Sequence, residues 1–121
     1  MAIEMAIVLP LLLLTLGGIV DFGRMFFTQV VITNAAREGA RAAVVLKTGS
    51  PNGDIEARAL AAANGVPDAS AVVDSNCTGG TLPPDANAKV TVTAPMSWFF
   101  LPALGVSLPS SISRVSVMGC T

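Results

Sequence analysis

At 121 residues the chain has room for one small domain. It is 52% hydrophobic and 12% charged, against ~25% charged in an ordinary soluble domain, which points to membrane contact or extensive subunit packing. The net charge of −1 and the lack of a basic stripe argue against a nucleic-acid partner. The absence of histidine and tyrosine removes the commonest general base and metal ligand.

The first element is an apolar run from Met5 to Val20. As a helix it spans ~24 Å at 1.5 Å per residue, a little short of a ~30 Å hydrocarbon core. Ala2 and Ile3 lengthen it at one end, and Phe22, Met25, Phe26 and Phe27 at the other. Glu4 opens the run, and a charge deep in a bilayer costs ~2.5–3.5 kcal/mol. The helix macrodipole returns only ~0.3–1 kcal/mol of that. The terminal amine of Met1 from a neighbouring copy would neutralise Glu4 in a staggered array of identical helices, and one repeated screw operation makes such an array an open filament. Alternatively, Glu4 lies in the headgroup layer, unpaired. The opening does not read as a secretory signal: its first charge is negative, no lysine or arginine precedes Arg24, and no A-x-A site follows. It reads as a mature end left after removal of a basic leader.

Pro10 removes a backbone donor, and Gly17 and Gly18 lower helix propensity. These three positions are expected either to give the helix local flexibility or to be ordinary membrane-helix residues. Asp21 and Arg24 stand one turn apart and are expected to pair within the helix. From Asp21 onward the periodicity assigns Phe22, Phe26, Thr33, Ala36, Ala40 and Val44 to one face and Asp21, Arg24, Thr28, Asn34 and Glu38 to the other. Ala35, Gly39 and Ala43 repeat at four-residue spacing and allow close backbone approach. The helix is expected over about 2–48, before the loop Gly49-Ser50-Pro51-Asn52-Gly53. This divides the chain into an exposed hydrophobic helix half, 1–32, and a head, 33–121.

Asp54 is expected to cap a short helix over Ile55–Asn64, ended by Gly65 and Pro67. Strands are expected over Ala71–Asp74, Ala88–Ala94 and Ile112–Met118, giving an α+β head with a three- to four-stranded antiparallel sheet. The middle strand alternates strictly as Lys89-Val90-Thr91-Val92-Thr93, and the last repeats the pattern from Ile112 to Val117. Between these two strands, Trp98, Phe99, Phe100, Leu101 and Leu104 form a hydrophobic excursion that either packs under the sheet or stays exposed. Cys77 and Cys120 fit no zinc or redox spacing. Pairing them would close a loop of about 44 residues, worth ~4 kcal/mol, and would imply an oxidising location; otherwise they are small buried apolar residues. Asn76-Cys77-Thr78 matches a glycosylation acceptor at Asn76.

No catalytic, cofactor or metal site is legible. No serine or cysteine has an evident partner base, there is no glycine-rich phosphate loop, and no small-molecule substrate is implied. Asp21-Phe22-Gly23 spells a kinase magnesium tripeptide, but it lies inside a helix without its companion motifs.

Three motifs together carry a family resemblance: Ala2-Ile3-Glu4-Met5-Ala6-Ile7-Val8-Leu9-Pro10, then Asp21-Phe22-Gly23-Arg24, then Asn34-Ala35-Ala36-Arg37-Glu38-Gly39-Ala40-Arg41. Over roughly Ala2–Val45 the chain closely resembles TadE-like pilins of the tight-adherence branch of type IV pilus systems. The resemblance implies a type IV pilin-like fold and a prepilin cut after a glycine by a membrane peptidase. It also implies storage in the inner membrane, then extraction by assembly machinery into an extracellular pilus. Glu4 matches the family's near-terminal glutamate, displaced by one residue. The expected roles are a structural subunit of a helical homo-oligomer used in attachment, aggregation or motility, or a minor pseudopilin that stays in the membrane and primes assembly. A third reading, from the residues, is a single-span anchored binding domain using the patch Trp98–Leu104.

Overall fold

The structure is a computed structural model that describes residues 1–46, 52–77 and 86–120. Helix α1 runs from Ala2 to Val45, 44 residues, or about 66 Å at the rise of an α-helix. It stays α-helical through Pro10, Gly17 and Gly18. Its last turn closes where the Leu46 N–H donates to the Ala42 carbonyl at 2.8 Å. The expected stop at Lys47–Thr48 lies outside the described residues.

Helix α2 covers Asn52–Ala62. It starts earlier than expected, so Asn52 and Gly53 are helical rather than loop. Asp54 sits inside the first turn, where its charge favours the positive helix end, instead of capping it. Beyond α2, Gly65 takes a left-handed φ of 91°, which only glycine adopts without penalty and which turns the chain out of the helical path.

Strands β1 (Ser70–Ser75), β2 (Asn87–Pro95) and β3 (Ser111–Gly119) form an antiparallel sheet in the order β1-β2-β3. All three expected strands are present, each extended by a residue or so at its ends. The α+β, pilin-like layout of a long apolar helix, a short helix and a three-stranded sheet is therefore as the sequence predicted. In β2 the alternation turns Ala88, Val90, Val92 and Ala94 inward, all fully buried. They meet the small-residue stripe of α1, and Ile55 and Ala59 of α2 close the core beside them. A Cβ on Gly39 would come within 2.9 Å of both Ala59 Cβ and Val90 Cγ1. Glycine at that point lets α1 touch α2 and β2 together.

β3 obeys its register rather than its own apolar pattern. Ala94 faces Ile112 and Ala88 faces Met118, so Ile112 turns inward and Val115 and Val117 turn out. Side chains alternate faces along a strand, so a register set at one end commits the whole strand. Val115 and Val117 are exposed on the outer face, in a row with Val72 across Thr91. Cys77 and Cys120 form a disulfide with Cα atoms 5.5 Å apart. It ties the end of β1 to the end of β3 past the start of β2. The Cys120 N–H donates to the Ala86 carbonyl at 3.0 Å.

Candidate functional site: a bare helix and the loop that meets it

Residues 1–16 of α1 are exposed on every side, Met1 and Glu4 included. Burial begins at Gly17 and continues through Asp21, Thr28, Ile32, Ala35, Gly39 and Ala42. Those steps of three, four or seven residues trace one stripe along a helix. The stripe holds almost no bulk. The large apolar side chains between them, Ile19, Val20, Phe22, Phe26, Phe27 and Val30, are exposed, with Phe27 lying beside Gly65 after α2.

Over residues 21–28 this reverses the faces expected from sequence, whereas Ala36 and Ala40 of the expected apolar face are buried as predicted. The side bearing Asp21 and Thr28 is the one the head covers, and Phe22 and Phe26 look outward. Periodicity treats a carboxylate as a solvent-facing residue; here it is covered because the fold supplies it with donors. The small residues Ala35, Gly39 and Ala43 are used for contact with this chain's own head. The head also reaches further down the helix than a boundary at residue 33, touching it from Gly17.

The contact at Gly17 to Arg24 is made by the loop between β2 and β3. Its base is closed by the Met96 N–H donating to the Ser110 carbonyl and the Trp98 indole N–H donating to the Pro109 carbonyl, both at 2.8 Å. Its tip carries a 3-10 turn over Leu101–Leu104. The backbone N–H groups entering that turn have no carbonyl partner of their own. Asp21 serves them: its Oδ1 accepts from Phe99 at 3.2 Å, and its Oδ2 accepts from Phe100 at 2.8 Å and Leu101 at 3.0 Å. Asp21 is fully buried, and a buried carboxylate persists where hydrogen bonds replace its water.

Arg24, expected to pair directly with Asp21, turns to the same loop instead. Its guanidinium donates to the Ser97 carbonyl at 3.4 Å and to Ser97 Oγ at 3.5 Å, and lies 4.4 Å from the centre of the Phe99 ring. Three backbone donors satisfy the carboxylate and Arg24 holds the same loop at Ser97 and Phe99, so the two residues clamp the loop jointly. Phe100 packs onto Gly17, where an added Cβ would fall 2.3–2.7 Å from Phe100 side-chain carbons. Gly17 thus has a packing role, whereas Gly18 faces open space.

Sequence reasoning missed the loop amides as partners of Asp21 and missed Gly17 as their companion. A signal existed in the four-residue step from Gly17 to Asp21, a small residue and an acid on one face of an apolar helix. Asn76 follows β1 at an exposed edge of the head, where its side-chain amide donates to Asn52 Oδ1. Among the described residues, no group of three or more His, Cys, Asp or Glu side chains could hold a metal ion.

The arrangement can do one thing physically. It presents a long apolar rod that the chain's own head leaves uncovered. Its most apolar stretch is almost entirely exposed. By length and composition α1 could cross a membrane.

The comparisons with known proteins agree with that shape. The family model described as TadE-like protein matches residues 1–41. No curated protein and no solved structure matches the chain.

Proposed function

From a chain whose first 41 residues carry the signature of the TadE-like family of pilus-associated proteins, we propose a structural pilin subunit. It is stored in the inner membrane through α1 and polymerises through that helix into an extracellular tight-adherence-type pilus used for attachment, aggregation or motility. The observation that carries this reading is the bare rod. Residues 1–16 are exposed throughout, and past them Phe22, Phe26 and Val30 stay exposed, while the stripe that meets the head is made mostly of small residues around Ile32. Lipid covers such a surface before assembly. Copies of the same helix cover it afterwards, with apolar burial of about 25 cal/mol per Å² as the driving term.

In this reading Glu4 is an assembly residue, met by a positive group such as the terminal amine of an adjoining copy. Pro10 and Gly18 are points where the helix yields as it leaves the bilayer. The prepilin peptidase and the pilus assembly machinery are the partners. The disulfide between Cys77 and Cys120 supports a head that matures outside the cytoplasm.

The family resemblance equally supports a minor pseudopilin that stays membrane-anchored and primes assembly. Fibres sheared from cells producing the chain, imaged by electron microscopy and quantified by mass spectrometry, decide between them. The main-subunit reading expects the chain to be the dominant component along the fibre. A trace amount supports the priming role, and a complete absence from fibres removes both filament roles.

A further inference from the structure

The β2–β3 loop meets α1 at the level where its apolar run ends. Glu4 and Asp21 are the charges that bound this run. They stand 17 residues apart (21 − 4), about 26 Å along the axis, close to the ~30 Å of a hydrocarbon core. Phe100 rests on Gly17, four residues and about 6 Å to the apolar side of Asp21. The loop tip therefore does not stand clear of the layer that the helix crosses; it dips past its edge.

The chemistry of the loop fits that position. No residue from 90 to 113 is charged. At the tip, Phe99, Phe100, Leu104 and Val106 are 64%, 45%, 50% and 51% exposed, and Phe100 meets α1 at Gly17. Unpaired backbone donors are what hydrocarbon penalises most, and Asp21 satisfies three at this tip. Trp98 is half-buried against the head core with its indole N–H bonded, and tryptophan is the amphipathic residue enriched at membrane–water boundaries.

We infer that residues 98–106 are a second membrane contact, seated in the leaflet on the head side of the bilayer. Trp98 lies at the headgroup boundary, and Phe100 and Leu104 lie among the upper acyl chains. The occupant is lipid. Asp21 and Arg24 hold the loop at that depth, so the head has a fixed height and rotation above the bilayer instead of swinging on a single helix. The inference rests on the membrane-stored reading above.

Trp98 is the only tryptophan, so the native chain carries its own probe. The full chain is reconstituted into phosphatidylethanolamine/phosphatidylglycerol vesicles with bromine placed on the acyl chains near either the headgroup or the terminal methyl. Trp98 emission is expected to fall at least about two-fold with the shallow bromine and less with the deep one, as for an interfacial indole. A second chain, with Trp98→Phe and Leu12→Trp, reports on the helix and is expected to respond most to the deep bromine. If the Leu12→Trp probe is quenched while Trp98 is not, the loop inference is overturned and the anchored reading stands. If neither is quenched, both fall. If Trp98 ignores bromolipid yet becomes shielded from aqueous acrylamide once fibres form, the loop is a subunit contact and the inference is overturned. Leu104→Asp, exposed and not itself a donor to Asp21, is expected to cut the shallow quenching about two-fold with unchanged circular dichroism; unaltered quenching counts against lipid seating.

Discussion

The two halves of α1 are one continuous helix with opposite relations to the rest of the chain. Residues 2–16 are rich in leucine and isoleucine and are exposed along their whole length. Residues 17–45 carry glycine and alanine on the contact stripe and bury it completely at Ile32, Ala35, Ala40 and Ala43. Exposed bulk thus dominates the first half, and the buried stripe of the second is mostly small side chains around Ile32. Close packing needs small residues when a helix backbone must approach a sheet and a second helix together, as it does at Gly39. A leucine-rich surface, in contrast, gains most from a cover that is fluid or repeated, which lipid and a helical array both are. The difference teaches that helix length and burial are separable: the fold of this chain accounts for one half and leaves the other uncovered.

The sharpest way to break this comparison is to damage the packed half. Ile32→Ala removes a fully buried side chain and is expected to destabilise the head by about 2–5 kcal/mol. Urea unfolding in detergent micelles measures it. The same truncation at Leu12 should leave the unfolding midpoint of the head unmoved. Equal losses at the two positions would mean that the halves are not distinct. Replacing Cys77 and Cys120 by serine should cost about 2–5 kcal/mol by the same measurement, because the crosslink closes a long loop around β2.

Gly39→Val comes next, at about 1–3 kcal/mol of overpacking. The added carbons meet Ala59 and Val90, neither of which has a flexible end with which to move aside. A cost near zero would mean that α1 stands further from the sheet than the 2.9 Å approaches imply.

Much of this was legible in the sequence, and the exceptions share a cause. The strands were recovered because β2 alternates strictly, and the long helix because nothing from Ala2 to Val45 signals a turn. Periodicity did not assign the right face to residues 21–28. Asp21 looks like a solvent-facing residue until the amides of Phe99, Phe100 and Leu101 arrive from 78 to 80 residues away. The outward turn of Val115 and Val117 has the same origin, since the cross-strand register overrules the local apolar pattern. In each case a long-range partner decided what a short window could not. Glu4 poses the opposite difficulty: it is exposed, and the partner proposed for it belongs to another copy.

Smaller effects are expected at the junction between the halves. Asp21→Ala leaves the Phe99, Phe100 and Leu101 amides without acceptors. Their hydrogen exchange should accelerate to that of an open loop while the β2 amides keep their protection, because the core does not depend on this contact. The adjacent glycines give a finer contrast. Gly18→Ala meets open space and is expected to be neutral or to stabilise the helix by up to about 1 kcal/mol. Gly17→Ala, although it carries the same propensity gain, must push Phe100 away and should raise exchange at the loop amides. Identical behaviour at both positions would remove the packing role assigned to Gly17.

The smallest effect on a lone chain is expected at Glu4, and for that reason it tests assembly most cleanly. Glu4 is exposed and remote from the head, so Glu4→Gln should shift head stability by no more than about 0.5 kcal/mol, the range of a surface change. Fibre yield should nevertheless fall steeply, because the substitution keeps the shape of the side chain and removes only the charge that an adjoining copy would meet. Stability and yield are therefore measured on the same variant. Unchanged stability with lost fibres locates the role of Glu4 between copies. If fibres form at the normal yield, the carboxylate is an ordinary headgroup-layer residue, and the uncovered half of α1 assembles on apolar contact alone.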